Sequence, residues 1–256
     1  MKIKTILCLG LCGILSIFSS CTQDENPKDS TIFAKTDVFS PSEIQQAKEL
    51  AIPVSELSNL SEEVKQKRTA AIILSDYVML EGTQYKLDIS EQDAQELGVT
   101  PYLYEIIKNE ILSTNAAIQE ILENGDSIEL CDIQAISKAY KNGELNLSDN
   151  PDKYSSVAYP SGNITTSGQE DGTASFKTEY EHTQVLFRCR TNAALSPIYV
   201  CTVTSWGEKK VGSKIGTLFT TTEITVPLVA SGSGIYAGLT FATSDSNGGS
   251  CFWQAQ

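Results

Sequence analysis

Between Ser40 and Gly143 apolar residues return every three or four positions, whereas after about residue 171 they return every second position. The first period belongs to helices buried along one face and the second to strands, so the pattern predicts an α+β protein with its helices ahead of its strands. Helix starts are also marked by local chemistry. Ser40-Pro41-Ser42-Glu43 combines a capping serine, a proline in the first turn and a glutamate three residues past the cap. This predicts a helix running to about Ile52 and stopped by Pro53. A second helix begins near Ser61, with Val64, Ala71, Leu74 and Val78 on one face and Gly82 just past its end. Tyr85, Leu87 and Ile89 alternate like a short strand, and Ser90 to Asp93 cap a short helix closed by Gly98. Thr100 and Pro101 open the longest helix, whose stripe of Leu103, Ile107, Ile111, Ile118 and Leu122 ends near Asn124 and Gly125. Asp132 caps the last one, which carries Ile133, Ile136 and Tyr140 to Gly143.

The strand-like runs are TASFKTEY, QVLFRCR, PIYVCTVTSW, GTLFTTTEITVPLV, GIYAGLTFAT and SCFWQAQ. Val185, Phe187 and Cys189 share one face, as do Ile235, Ala237, Leu239 and Phe241. Six or seven antiparallel strands in about ninety residues predict a β-sandwich, either jelly-roll or Ig-like. Asn247-Gly248-Gly249 supplies the positive φ angles of a tight final hairpin. Between the two patterns nearly every position is Pro, Gly, Ser, Asn or Asp. The expected organisation is therefore a helical domain over 40–145 with its own core, a linker at 146–170 and a β-sandwich domain over 171–256.

Ahead of the helices, Lys2 and Lys4 precede an apolar run from Ile6 to Phe18. This is the layout of a secretory signal over residues 1–20, and it is shorter than the about 20 apolar residues of a membrane span. Ser19-Ser20-Cys21 comes next, followed by Thr22-Gln23-Asp24-Glu25-Asn26. The stretch resembles the lipobox and acidic export tag of Bacteroidetes surface lipoproteins, with Phe18 standing where leucine is usual. That resemblance covers about the first tenth of the chain. It implies cleavage after Ser20, lipidation of Cys21 and an outer-membrane protein held by its lipid anchor and exposed at the cell surface. Each buried methylene of such an anchor contributes about 0.8 kcal/mol, so two or three acyl chains hold durably. Residues 21–39 read as a flexible tether. YKLDISEQDAQELGVTPYLYE also resembles a stretch of small gut Bacteroidetes lipoproteins whose role is not established, and it implies no activity.

Lys2 and Lys4 leave with the signal, so the net charge of −13 becomes −15. Arg68, Arg188 and Arg190 are the only arginines and no basic run exceeds Lys209-Lys210, a composition that argues against nucleic acid as a partner. Of the seven cysteines, Cys8 and Cys12 are lost with the signal and Cys21 carries lipid. Cys131, Cys189, Cys201 and Cys251 remain, with three possible full pairings in an oxidising compartment. Cys189 and Cys201 lie symmetrically about Leu195, which would set them opposite each other in a hairpin, and a cross-strand bridge between them is the expected pairing. With no C-x-x-C and one histidine, neither a zinc site nor any other metal or cofactor is expected.

His182 is the one histidine, read as an exposed residue at a strand start beside Glu179 and Glu181. Asp245 and Asn247 invite comparison with a calcium loop, yet a turn held by Asp and Asn side chains accounts for the same residues. Aromatic side chains give the functional lead: Trp206, Tyr180, Tyr199 and Tyr236 fall on strands or their ends, where flat rings serve as stacking surfaces for glycans or as protein contacts, while Trp253 reads as core. Asp29-Ser30-Thr31 and Asp126-Ser127-Ile128 resemble the Bacteroides O-glycosylation triplet, which makes Ser30 and Ser127 candidates. The expected function is non-enzymatic ligand binding or adhesion, to glycan or protein, through the β-sandwich. The alternatives are a polysaccharide hydrolase with two catalytic carboxylates and a structural subunit of an envelope complex.

Overall fold

The computed structural model of the chain describes residues 39–145, 159–166, 171–178, 182–204, 207–228, 234–245 and 248–256. Its helices are α1 (Pro41–Glu49), α2 (Glu62–Leu74), α3 (Glu91–Glu96), α4 (Pro101–Glu123) and α5 (Ile133–Lys141), with strands β1 (Val78–Glu81) and β2 (Gln84–Leu87) between α2 and α3. Each helix begins where the sequence marks a cap. The side chains of Ser40, Ser61, Ser90, Thr100 and Asp132 accept from backbone N–H groups of the first turns, and Ser40 with Glu43 completes a reciprocal capping box.

Two boundaries differ from the sequence reading. The first helix stops at Glu49, because Ala51 adopts a positive φ of 52° and turns the chain before Pro53. The second stops at Leu74; Ser75–Tyr77 make a single 3-10 turn, and Val78–Glu81, expected to continue the helix, form β1, paired with β2 from Val78↔Leu87 to Glu81↔Gln84. Gly82, with φ 64°, is the turn of this hairpin and not a helix stop.

The remaining strands are β3 (Ser161–Thr166), β4 (Gly172–Lys177), β5 (Gln184–Thr191), β6 (Ser196–Thr204), β7 (Lys209–Gly216), β8 (Thr222–Pro227), β9 (Tyr236–Thr243) and β10 (Gly249–Ala255). They form two four-stranded antiparallel sheets, ordered β3-β10-β5-β8 and β4-β9-β6-β7. The pairs β3·β10, β4·β9, β5·β8 and β6·β7 are nested: the first strand of the series meets the last, and the pairing works inward to the β6–β7 hairpin. Both sheets contribute to one hydrophobic core, with Ile164, Val185, Phe187, Ile224, Val226 and Trp253 from one and Phe176, Ile198, Val200, Leu239 and Phe241 from the other.

Four strand expectations are corrected. β9 and β10 belong to different sheets, so the connection at Asn247-Gly248-Gly249 joins no hairpin. β3 lies inside the stretch read as linker, because SGNITT carries few apolar residues for a strand that pairs on one side only. β7, KKVGSKIG, gives little period-two signal because a core-facing position is glycine: a Cβ on Gly212 would stand 2.6 Å from the Ile224 side chain of the other sheet. Most consequentially, β5 and β6 do not form a hairpin. The chain crosses from one sheet to the other between them, so Cys189 pairs with Cys251 and Thr222, while Cys201 pairs with Val211 and Thr240. The expected Cys189–Cys201 bridge has no cross-strand geometry to support it.

Ala47, Leu50, Ile52 and Leu57 pack in a small cluster of their own, but the larger cluster of helical side chains is shared with the strands. Leu74, Ile107, Ile111, Ile118 and Ile133 pack in the same cluster as Leu195, Leu218 and Phe219 from the β5–β6 and β7–β8 connections and Ile215 from the end of β7. Residues 39–256 accordingly form one compact unit. The rings of Tyr140 and Phe219 meet at 5.4 Å across this junction. At the same place Arg68 of α2, 2 % exposed, donates from Nε to the Leu50 carbonyl (2.9 Å), from Nη2 to the Ala51 carbonyl (2.8 Å) and from Nη1 to Asn192 Oδ1 (2.8 Å). Burial pulls its pKa down to about 10, so it stays charged at neutral pH. Beside it Arg190 of β5 bonds Glu56 at 2.7 Å, and Lys67 of α2 forms an ion pair with Glu110 of α4.

Removing a buried, hydrogen-bonded charge strands its acceptors, so Arg68→Met is expected to lower the unfolding free energy in urea by about 3 kcal/mol or more. Arg68→Lys should recover little of it, because an ammonium cannot serve three acceptors spread along a planar fork. Burial also raises the Glu110 carboxyl above its ordinary 4.5, against the lowering effect of Lys67. A raised carboxyl contributes stability that is present below its unfolded pKa and lost as pH rises through the folded one. Urea titrations should therefore find wild type losing ground to Glu110→Gln as pH climbs from about 4.5.

Candidate functional site

The two ends of the strand assembly differ in chemistry. One end is closed by the helices and by a buried polar knot. Asp245, after β9, is 1 % exposed and accepts from Thr191 Oγ1 at 2.9 Å and from the Asn192 backbone N–H at 2.7 Å, while its carbonyl accepts from Gly248 N–H at 2.9 Å. Asn192 then receives Arg68, so the connection after β5 is held from both sides. Ser196 and Thr243 join hydroxyls at 2.7 Å in the same region. Nearby, the chain after α4 lies along β7: Glu129 N–H donates to the Ser213 carbonyl at 3.2 Å and Ile215 N–H to the Glu129 carbonyl at 2.9 Å. This contact covers one side of a strand that would otherwise be an open edge.

At the opposite end the strand termini meet away from the helices. Gln256 N–H donates to the Gln184 carbonyl, and the Thr183 and Gln184 N–H groups both donate to the Gln256 carbonyl. Thr178 Oγ1 donates to the Ile235 carbonyl, and Thr202 Oγ1 to the Pro227 carbonyl. Inside this backbone frame, rings form a ladder. Trp253 stacks on Phe176 with centroids 5.2 Å apart, Phe176 meets His182 edge-on at 6.0 Å, and His182 meets Tyr159 edge-on at 5.9 Å. The ladder starts in the inter-sheet core and finishes at Tyr159, 40 % exposed. Tyr236, opposite Lys177 at the start of β9, is 63 % exposed.

His182 therefore corrects the sequence reading. It stands at the start of β5 as expected but is 1 % exposed, because the rings of Tyr159 and Phe176 flank it. That setting gives the imidazole a packing role. Trp253 is core, as read from its position. Asp245 is a buried acceptor for the adjacent turn, and among the described residues no group of three or more His, Cys, Asp or Glu side chains is placed to hold a metal ion.

Of the ligand candidates, Tyr236 and Tyr199 fall within the described residues. Both lie on the sheet face turned away from the inter-sheet core, but the register sets Tyr199 opposite Ala242, six residues along β9 from Tyr236. That spacing is roughly 20 Å at 3.3 Å per residue, so the pair does not make a single platform. Tyr180, Trp206, Cys21 and Ser30 lie outside the described residues. Ser127 is exposed, and its carbonyl accepts from Ser213 Oγ at 2.7 Å. Two features escaped the sequence reading: the position of Tyr159 beside His182, and the contact between Cys189 and Cys251. In both, residues far apart in sequence meet because β10 lies between β3 and β5.

A small concavity lies among the described residues at the end away from the helices. The space lined by Thr178, Thr202, Val203, Thr204, Leu228, Ile235 and Ala237 is about 10 Å³, the size of a single water. A wider depression of about 340 Å³ lies over the helices, lined by Asp76, Gln134, Lys138, Lys141 and Asn142, with Lys141 paired to Asp76.

Asp245→Ala is expected to destabilise the fold by about 1–3 kcal/mol by leaving the Asn192 N–H and Thr191 hydroxyl without their acceptor. Millimolar calcium should leave the melting temperature of wild type unchanged; a rise of several degrees would show that Asp245 serves a cation. Comparison of the chain with protein-family models and with curated proteins finds no match.

Proposed function

We propose that the protein is a lipid-anchored component of the outer membrane, exposed at the cell surface, that binds a glycan or protein ligand without catalysing a reaction. The supporting observation is the asymmetry of the strand assembly. Helices and the Arg68–Asn192–Asp245 knot occupy one end, while the other presents Tyr236 and Tyr159 on a frame of bonded strand termini. Exposed rings on rigid elements gain contact area at low entropic cost.

The strand orders β3-β10-β5-β8 and β4-β9-β6-β7, with a core shared between the sheets, favour the jelly-roll form of β-sandwich over the Ig-like one. In a jelly roll the two sheets derive from a ribbon folded back on itself, as the nested pairs here would require. Cys21, followed by Asp24 and Glu25, supplies the anchor and the export tag in this reading. An acidic chain suits a soluble body held off an anionic membrane by a tether.

On intact cells, protease should remove the protein, and Cys21→Ser should shift it from the membrane fraction to the soluble fraction. Resistance in whole cells followed by cleavage after lysis would place it on the periplasmic side. On a broad glycan array and in envelope pull-downs, the purified protein should retain a ligand, and Tyr236→Ala should weaken that binding about tenfold without changing stability. Absence of any ligand, or equal binding by the variant, would remove the basis for this site.

A further inference from the structure

β5 and β10 are neighbours inside one sheet, and their register sets Cys189 directly opposite Cys251. Both side chains belong to the inter-sheet core and both residues are essentially inaccessible, at 0 % and 1 % exposed. Their sulfur atoms stand 3.0 Å apart. Directly opposed strand residues hold their Cβ atoms about 4.5–5.5 Å apart on the same face, close to the span of a disulfide. We propose that Cys189 and Cys251 are a disulfide-forming pair that locks the C-terminal strand to β5 whenever the chain folds in the presence of a disulfide donor.

The remaining cysteines do not compete for either partner. Cys201 lies on the other sheet, opposite Val211 and Thr240 and turned away from the inter-sheet core. The Cys131 thiol approaches the Tyr85 hydroxyl and the Ile215 carbonyl. Ile215 is four residues along β7 from Val211, which separates Cys131 from Cys201 by about 13 Å along the strand, beyond bridging distance. Burial pushes the Cys131 thiol up to about 11, so it is a poor nucleophile at neutral pH. One bond and two thiols is the expected inventory of the folded part.

The chemistry is a two-electron exchange with a donor such as oxidised glutathione. The thiolate of one cysteine attacks the donor's S–S bond, forming a mixed disulfide and releasing one glutathione thiolate. The second cysteine's thiolate then attacks the protein sulfur of that mixed disulfide, closing Cys189–Cys251 and releasing the second glutathione thiolate. The two protein protons end on glutathione, which carries away both electrons. Burial raises the Cys189 thiol well above its ordinary value, and neither sulfur is reachable in the folded core. Exchange therefore belongs to the stage before β10 seats between β3 and β5, and the finished bond is shielded from reductants. The partners are 62 residues apart in sequence, so the bond closes a large loop of the unfolded chain.

The test uses the full chain carrying Cys8→Ser, Cys12→Ser and Cys21→Ser, unfolded and reduced, then refolded with oxidised and reduced glutathione. After alkylation in denaturant, peptide mapping should recover a Cys189–Cys251 linkage two hydrogens lighter than the separate peptides, with Cys131 and Cys201 alkylated. Reduction in denaturant followed by refolding without donor should lower the melting temperature by about 10 °C. Adding Cys251→Ser should leave Cys189 alkylated and not linked to Cys201. Recovery of all four cysteines alkylated after refolding with donor, or of Cys189 joined to another partner, would overturn the proposal. Because the donor is supplied in the tube, the result does not depend on where the protein resides in the cell, so this proposal and the surface-lipoprotein reading fail separately.

Discussion

A guanidinium in a protein interior needs hydrogen-bond acceptors, and Arg68 finds three of them in parts of the chain far apart in sequence. Two of its acceptors are the carbonyls of Leu50 and Ala51 just past α1, and the third is the Asn192 side chain between β5 and β6. The backbone turns at Ala51 with φ 52°, a conformation costing roughly 1 kcal/mol for a residue with a Cβ. Asn192 is fixed in turn through its N–H to Asp245, which brings in the β9–β10 connection. If the helices moved away from the strands, the Arg68 charge would lose an acceptor and the cluster of Ile107, Leu195, Leu218 and Phe219 would be opened to water.

That constraint assigns different work to the two ends of the strand assembly. The end bearing Asn192, Phe219 and Asp245 is closed by helices and serves stability. The other end holds its strand termini by backbone bonds among Thr183, Gln184 and Gln256, and carries a ladder of rings from buried Trp253 to half-exposed Tyr159. A rigid frame with exposed rings at its margin binds at little ordering cost, which is why the functional proposal rests on that end.

Local chemistry was the most legible part of the sequence. Ser40, Ser61, Ser90, Thr100 and Asp132 mark helix starts through hydrogen bonds made within three residues, so no tertiary information was needed. The α4 stripe was legible because Ile107, Ile111 and Ile118 face one core. Gly82 misled because a glycine after an apolar run ends a helix or turns a hairpin with the same positive φ. β7 was hidden because its inward Gly212 is small to admit Ile224, a demand made by a strand in the opposite sheet. The cysteines failed for the same reason at larger scale. Symmetry about Leu195 suggests a hairpin, but β5 and β6 go to different sheets, and β10 seats beside β5, bringing Cys251, 62 residues away, to Cys189. Of the candidate site, the exposed Tyr236 was legible as an aromatic at a strand end, whereas the burial of His182 depends on rings at positions 159 and 176.

The central claim is that helices and strands are one cooperative structure. It is tested most directly by equilibrium unfolding of a Trp206→Phe chain, with Trp253 fluorescence reporting the inter-sheet core and far-ultraviolet circular dichroism near 222 nm, a wavelength characteristic of α-helix, reporting the helices. A single transition with coincident midpoints is expected for both signals. Two separated transitions, with the helical signal lost while Trp253 remains in a native environment, would contradict it.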